Sequence, residues 1–162
     1  MTSEWLIPCA LTAVIAIPFS GCNAAHAESQ APTAQTGVMV WAAFQCSTYA
    51  SLANNSSEKA RLFTLGYESG KRFLEAIAAG KIAEADITKT VPIGITVRFG
   101  GPSADFVLGA IYANAEQEAR DRVVKTDYNG LPLALKDWVI DPEVQKIKAE
   151  TQMQTRNCAL LK

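Results

Sequence analysis

The positions of the four cysteines constrain the fold more than any other feature of this sequence. Cys9 and Cys22 lie close to the N-terminal end, whereas Cys46 and Cys158 stand near opposite ends of the remaining chain. Exported domains commonly pair their cysteines, so an even number outside an export signal favours a disulfide over two buried thiols. In the chain-entropy model, closing so long a loop stabilises the fold by roughly 4–5 kcal/mol. We therefore expect a Cys46–Cys158 disulfide that joins the first helix of the domain to the last.

The N-terminal segment is typical of an export signal. Residues 6–19 (LIPCALTAVIAIPF) are almost wholly apolar, yet they are too short and too rich in proline for a membrane-spanning helix, which needs roughly 20 apolar residues. The alternative is a buried segment of the core. The export interpretation removes Cys9 and places the rest of the chain in the periplasm or otherwise outside the cytoplasm.

Two processing sites remain open. Residues 25–27 (AHA) form a small-x-small site that would leave residues 1–27 as the signal peptide. Residues 19–22 (FSGC) resemble the lipobox of bacterial lipoproteins, which would end the signal at residue 21 and lipidate Cys22. We favour the soluble product slightly and keep an outer-membrane lipoprotein as the alternative.

The remaining chain predicts a flexible lead followed by one mostly α-helical domain. Residues 28–37 (ESQAPTAQTG) are small and polar, whereas residues 38–162 carry helical patterns. We predict four or five helices, the principal ones at residues 38–53, 56–79, 104–125 and 142–160. Asn55, Ser103 and Asp141 are predicted N-caps, and Asn129-Gly130 is a predicted turn.

The spacing of residues along these helices predicts which side chains are buried and which form ion pairs. Gly66 and Gly70 lie four apart, which favours close approach of another helix backbone. The residues expected to be buried are, helix by helix, Leu62, Leu65, Phe73 and Ile77; Phe106, Val107, Ala110, Ile111 and Ala113; and Val144, Ile147, Thr151 and Cys158. The expected ion pairs are Glu116–Arg120, Glu118–Arg122 and Asp121–Lys125.

One segment departs from the helical pattern. In residues 92–99 (PIGITVRF), apolar side chains alternate with small or polar ones, which predicts a strand. A single strand is not stable alone, so residues 131–140 (LPLALKDWVI) are its candidate partner. The alternative is an extended connection laid across the helices. The fold class is thus mostly α, with at most one short strand pair.

Composition excludes several classes of function. The chain has 15 Lys and Arg against 16 Asp and Glu, so it lacks the basic surface of a nucleic-acid-binding protein. Its one histidine, His26, precedes the domain, which excludes histidine-dependent nucleophilic catalysis there and argues against a zinc site. Glu68 is the best candidate for carboxylate catalysis, but a surface position beside Lys71 is favoured. We expect no enzyme activity, no cofactor and no metal.

Recognition of another molecule is the function that remains. Tyr67, Trp41, Trp138 and Tyr112 are amphipathic residues of the kind that anchor protein interfaces, although each is more often found in a core. We take Trp41, Tyr67 and Glu68 as candidate interface residues. The oligomeric state is not predicted.

The order of elements resembles a known family. A helix with a cysteine (FQCSTYA), a helix carrying LGYESG, the segment PIGIT, an amphipathic helix (PSADFVLGAIYANAEQEARDRV) and a terminal cysteine follow one another. This order is similar to that of the small helical periplasmic immunity proteins that neutralise type VI secretion amidase effectors. The resemblance implies an all-α protein that binds and blocks a cell-wall hydrolase, and it carries over no individual contact residue. The alternative is an envelope lipoprotein of structural or phage-exclusion type.

Overall fold

The computed structural model describes residues 32–162, and within them the fold is helical. Six α-helices follow one another, namely α1 (Ala34–Leu52), α2 (Ser56–Ala78), α3 (Glu84–Thr90), α4 (Ile93–Thr96), α5 (Ala104–Val124) and α6 (Pro142–Thr155). Short 3-10 helices lie at Leu135–Asp137 and Cys158–Leu160. The predicted signal, its processing sites and Cys22 lie outside the described residues.

Helix α1 is the centre of the domain. It packs against α2, α5 and α6, and every residue from 43 to 50 is buried. A helix that is apolar on most sides can be enclosed in this way, because no face of it needs water. It begins at Ala34, inside the stretch predicted as a flexible lead, and Ala34 itself is buried.

The helix starts follow the predicted capping residues. The side chain of Asn55 accepts a hydrogen bond from the backbone nitrogen of Glu58, and the hydroxyl of Ser103 accepts one from that of Phe106. Asp141 caps α6 in the same manner, with Pro142 at the first helical position. Side-chain acceptors thereby satisfy amides that the helices leave unpaired.

The predicted strand is wrong. Pro92 precedes the single helical turn of α4, and Ile95 is fully buried while Ile93 and Val97 are 77% and 63% exposed. A strand would turn all three side chains to one face, whereas a helical turn separates them. Residues 131–140 do not supply a partner strand. In the described part of the chain, the only β-bridge is an isolated one between Thr126 and Pro132.

The last helix also differs from its prediction. Helix α6 ends at Thr155, and Asn157 adopts a left-handed conformation with φ of 53° before the 3-10 turn that holds Cys158. Ile147, predicted to be buried, is 54% exposed, whereas Lys148 and Ala149 on the other side of the helix are buried.

The predicted disulfide and surface ion pairs are confirmed. Cys46 of α1 is joined to Cys158, with 5.7 Å between the Cα atoms and both residues buried. The three ion pairs are Arg120–Glu116 at 2.9 Å, Arg122–Glu118 at 3.7 Å and Lys125–Asp121 at 2.8 Å. Exposed pairs of this type add little stability.

Gly66 and Gly70 do mark close packing, but against side chains instead of a helix backbone. A Cβ atom at Gly66 would lie 2.6 Å from the Phe44 ring, and one at Gly70 would lie 2.5 Å from a methyl group of Leu108. The glycines therefore let α1 and α5 place large side chains directly on α2. This packing brings the aromatic residues of α2 next to those of α5.

Candidate partner-binding site

An aromatic cluster lies between α2 and α5. The rings of Phe63 and Tyr67, one turn apart on α2, are almost parallel, with an interplanar angle of 7° and 6.3 Å between centroids. The ring of Tyr112, on α5, meets Phe63 edge-on at 5.2 Å and the buried Phe44 at 5.3 Å. Edge-to-face and offset pairs are the favoured aromatic geometries, so the cluster is held in a defined shape.

This cluster encloses a small surface pocket. Its volume is about 200 Å³, and it is lined by Phe44, Phe63, Tyr67, Asp105, Leu108, Gly109 and Tyr112. Phe63 is 40% exposed even though it belongs to the cluster. Partly exposed aromatic rings around a pocket are characteristic of interface anchors and of the pockets that receive them.

A hydrogen bond defines the rim of this aromatic pocket. The Tyr67 hydroxyl donates to Asp105, in the first turn of α5, over 2.7 Å. Because the carboxylate holds the phenolic proton, it raises the pKa of Tyr67 above its usual value. Burial raises the pKa of Tyr112, with a smaller contribution from Glu116. Both tyrosines therefore remain neutral at physiological pH.

The predicted interface residues are only partly brought together. Tyr67 lines the aromatic pocket, and Glu68 lies beside it on the exposed side of α2, where it pairs with Lys71 at 3.5 Å. Trp41 lies elsewhere, against Gly94 of α4, where a Cβ atom would stand 2.3 Å from its indole ring. Trp138 is also separate, with the ammonium group of Lys125 at 4.9 Å from its ring.

Of the residues that line the pocket, only Tyr67 and Tyr112 were interface candidates from the sequence. The residues missed are Phe44, Phe63, Asp105, Leu108 and Gly109. The spacing of Phe63 and Tyr67 on one helix was a usable signal, because residues four apart share a helix face. Phe106, predicted to be buried, is 57% exposed, while its neighbour Leu108 forms part of the pocket floor.

Two larger grooves lie beside the C-terminal part of α2. They have volumes of about 590 Å³ and 350 Å³ and share Ile77 and Phe99 in their walls. Their linings are mainly aliphatic, with Glu84 in the first and Glu75 in the second. Of these three pockets, the aromatic pocket is the one that combines stacked rings with a carboxylate held by a hydrogen bond.

A polar network on α1 serves the scaffold. The Gln45 amide donates to Glu118 over 2.9 Å, and its oxygen accepts from Arg156 over 3.0 Å. The guanidinium of Arg156 stands 5.6 Å from the Tyr49 ring, and burial raises the pKa of that hydroxyl. These contacts tie α1 to α5 and to the end of α6.

Two other kinds of site are absent from residues 32–162. No group of three or more His, Cys, Asp or Glu side chains in this range could hold a metal ion. Within the same range, no helix has the length and hydropathy needed to cross a membrane.

Comparison with other proteins gives no family for this chain. No protein-family model, no curated protein and no solved structure matches it.

Proposed function

We propose that this chain is an exported, non-catalytic protein that binds a protein partner through the aromatic pocket between α2 and α5. The partner class we favour is a cell-wall hydrolase, which the protein would inhibit or to which it would confer immunity. The observation that carries the proposal is the cluster of the exposed Phe63 and the half-buried Tyr67 and Tyr112 around a surface pocket.

Interface energetics support this use of the pocket. A few central aromatic residues usually carry most of the binding free energy of a protein complex. Tyr and Phe also lose little side-chain entropy on binding when their rings are already packed, as they are here. The rigid cluster is therefore a suitable anchor for a partner.

The cysteine pair supports export. Disulfides persist in oxidising compartments and are rare in the cytosol. A buried Cys46–Cys158 bond fits a periplasmic protein, as does the predicted signal that precedes the domain. The lipoprotein alternative predicts a mature chain that begins at a lipidated Cys22, and intact-mass measurement of protein recovered from the envelope separates the two.

The test is inhibition of purified cell-wall amidases by the oxidised mature domain, residues 28–162. We expect a stoichiometric complex and loss of peptidoglycan hydrolysis with one of these enzymes. Phe63→Ala and Tyr67→Ala should each weaken the complex by tenfold or more, since hot-spot residues contribute about 2 kcal/mol or more. Leu135→Ala, at an exposed apolar side chain outside the pocket, is the matched control and should bind normally.

Two outcomes would contradict the proposal. One is a folded domain that neither binds nor inhibits any cell-wall hydrolase. The other is a complex whose affinity is the same for the wild type and for both aromatic variants, because the contact face would then lie elsewhere.

A further inference from the structure

The aromatic pocket has the electrostatic character of a cation site. The faces of aromatic rings carry negative potential, and four aromatic side chains line this pocket, namely Phe44, Phe63, Tyr67 and Tyr112. Asp105 is the only lining residue that is charged at neutral pH, and its carboxylate is held at the rim by Tyr67. No cation is among the lining residues, so the charge of the pocket is complementary to a positively charged group.

Lys71 shows that this cluster attracts cations. Its ammonium nitrogen lies 5.0 Å from the centroid of the Tyr67 ring, within the range of a cation–π interaction. Lys71 is not among the residues that line the pocket. The lining of the pocket itself therefore carries no positive charge.

Gly109 supplies an independent observation. A glycine inside a helix costs about 1 kcal/mol relative to alanine. Gly66 and Gly70 have a structural reason, since a Cβ atom at either would collide with a neighbour, but a Cβ atom at Gly109 would meet nothing within 4 Å. The packing of the domain does not require this glycine. Its bare backbone instead leaves room in the pocket that a side chain would fill.

We propose that the pocket receives an arginine side chain of the protein partner, with its guanidinium group against the rings of Phe63, Tyr67 and Tyr112 and with Asp105 as its counter-ion. Arginine fits better than lysine because its planar head group stacks on aromatic faces and matches a carboxylate. The inference rests on the proposed function and adds the chemistry of the residue that the partner presents.

The probe is N-acetyl-arginine amide, titrated into the full-length chain purified with its disulfide intact and followed by NMR. N-acetyl-citrulline amide is the control ligand, because it keeps the shape of arginine and removes the charge. We expect saturable shifts at the Gly109 amide and upfield shifts of the ligand methylene protons next to the guanidinium. Citrulline should bind on the order of tenfold more weakly, as expected for loss of a cation–π contact and its counter-ion.

Three variants locate the interaction. Asp105→Asn retains an acceptor for Tyr67 and removes the charge, so the preference for arginine should fall below about twofold. Asp86→Asn makes the same change in the first turn of α3 and should leave the titration unchanged. Gly109→Ala should abolish the shifts while raising the melting temperature, because alanine is the better helix former.

The inference is overturned if arginine and citrulline bind equally, if neither gives saturable shifts, or if Gly109→Ala binds arginine as the wild type does. These failures are distinguishable from failure of the proposed function. If Tyr67→Ala abolishes the hydrolase complex but the arginine titration is negative, the proposed function stands. Only the inference that the pocket receives an arginine is then wrong.

Discussion

The guanidinium group of Arg61 donates a hydrogen bond of 2.7 Å to the backbone carbonyl oxygen of Leu161, one hundred residues further along the chain. A second bond, of 3.2 Å, reaches the carbonyl oxygen of Cys158. Glu58 holds the guanidinium from its other side at 2.9 and 2.6 Å. The start of α2 thus clamps the C-terminal turn beside the disulfide. Arg61 gives the Leu161 carbonyl oxygen a partner and adds a second donor to the Cys158 carbonyl oxygen, which already accepts from the backbone nitrogen of Leu161.

Arg61→Met should destabilise the domain by about 1–2 kcal/mol, because charge-assisted hydrogen bonds to two carbonyl groups are lost at a partly exposed site. Urea unfolding of the oxidised protein measures the change. Lys59→Met is the matched control, since it removes an exposed cation two residues away on the same helix and should have little effect. Equal unfolding free energies for the two variants would show that the hydrogen bonds of Arg61 to the C-terminal turn do not stabilise the domain.

Stability should decrease at acidic pH through Glu58. The hydrogen bond from Arg61 lowers the pKa of this carboxyl in the folded state. The folded protein therefore binds fewer protons than the unfolded chain, and the contribution is complete above the unfolded pKa of about 4.3. It is lost as the pH falls through the lower folded value. Urea unfolding at a series of pH values from 7 to 3 should show a shallower acid loss for Glu58→Gln than for the wild type. Parallel curves would contradict this assignment.

Reduction of the disulfide should lower the melting temperature markedly. Cys46 and Cys158 are 112 residues apart, so the bond removes much of the freedom of the unfolded chain and contributes roughly 4–5 kcal/mol in the entropy model. Thermal unfolding with and without reductant measures the loss, and the double Cys→Ser variant, which reductant cannot affect, is the control. An unchanged melting temperature on reduction would count against a formed bond.

The same substitution should have opposite effects at two glycines. Gly66→Ala places a Cβ atom 2.6 Å from the ring of Phe44, which is fully buried and cannot swing away. Overpacking costs about 1–3 kcal/mol and outweighs the gain in helix propensity. Gly109→Ala should stabilise the domain by about 0.5–1 kcal/mol, since nothing stands near the added methyl group. Chemical unfolding of both variants checks the signs, and two changes of equal sign would contradict the packing described.

Local signals in the sequence correctly predict where α2, α5 and α6 begin. Asn55, Ser103 and Asp141 cap their helices because each needs only a backbone amide two or three positions ahead. The Cys46–Cys158 pairing was also predictable, since only two cysteines remained for the domain. These features depend on neighbours along the chain or on counting, not on the packing of distant helices.

The features that escaped prediction depend on that packing. The alternation of apolar with small or polar side chains in residues 92–99 predicts a strand. In the described domain, however, Trp41 packs on Gly94 and no partner strand lies beside this segment. The pocket was missed for a similar reason. Tyr67 and Asp105 lie on different helices, and the close packing at Gly66 and Gly70 decides that they meet.

The position of the disulfide has a mechanical consequence. A force applied between Ala34 and Lys162 would be transmitted along the first part of α1, through the Cys46–Cys158 disulfide and along the last few residues. Helices α2 to α6 lie outside that load path. Tension applied between the two ends of the domain would therefore leave the aromatic pocket in its shape.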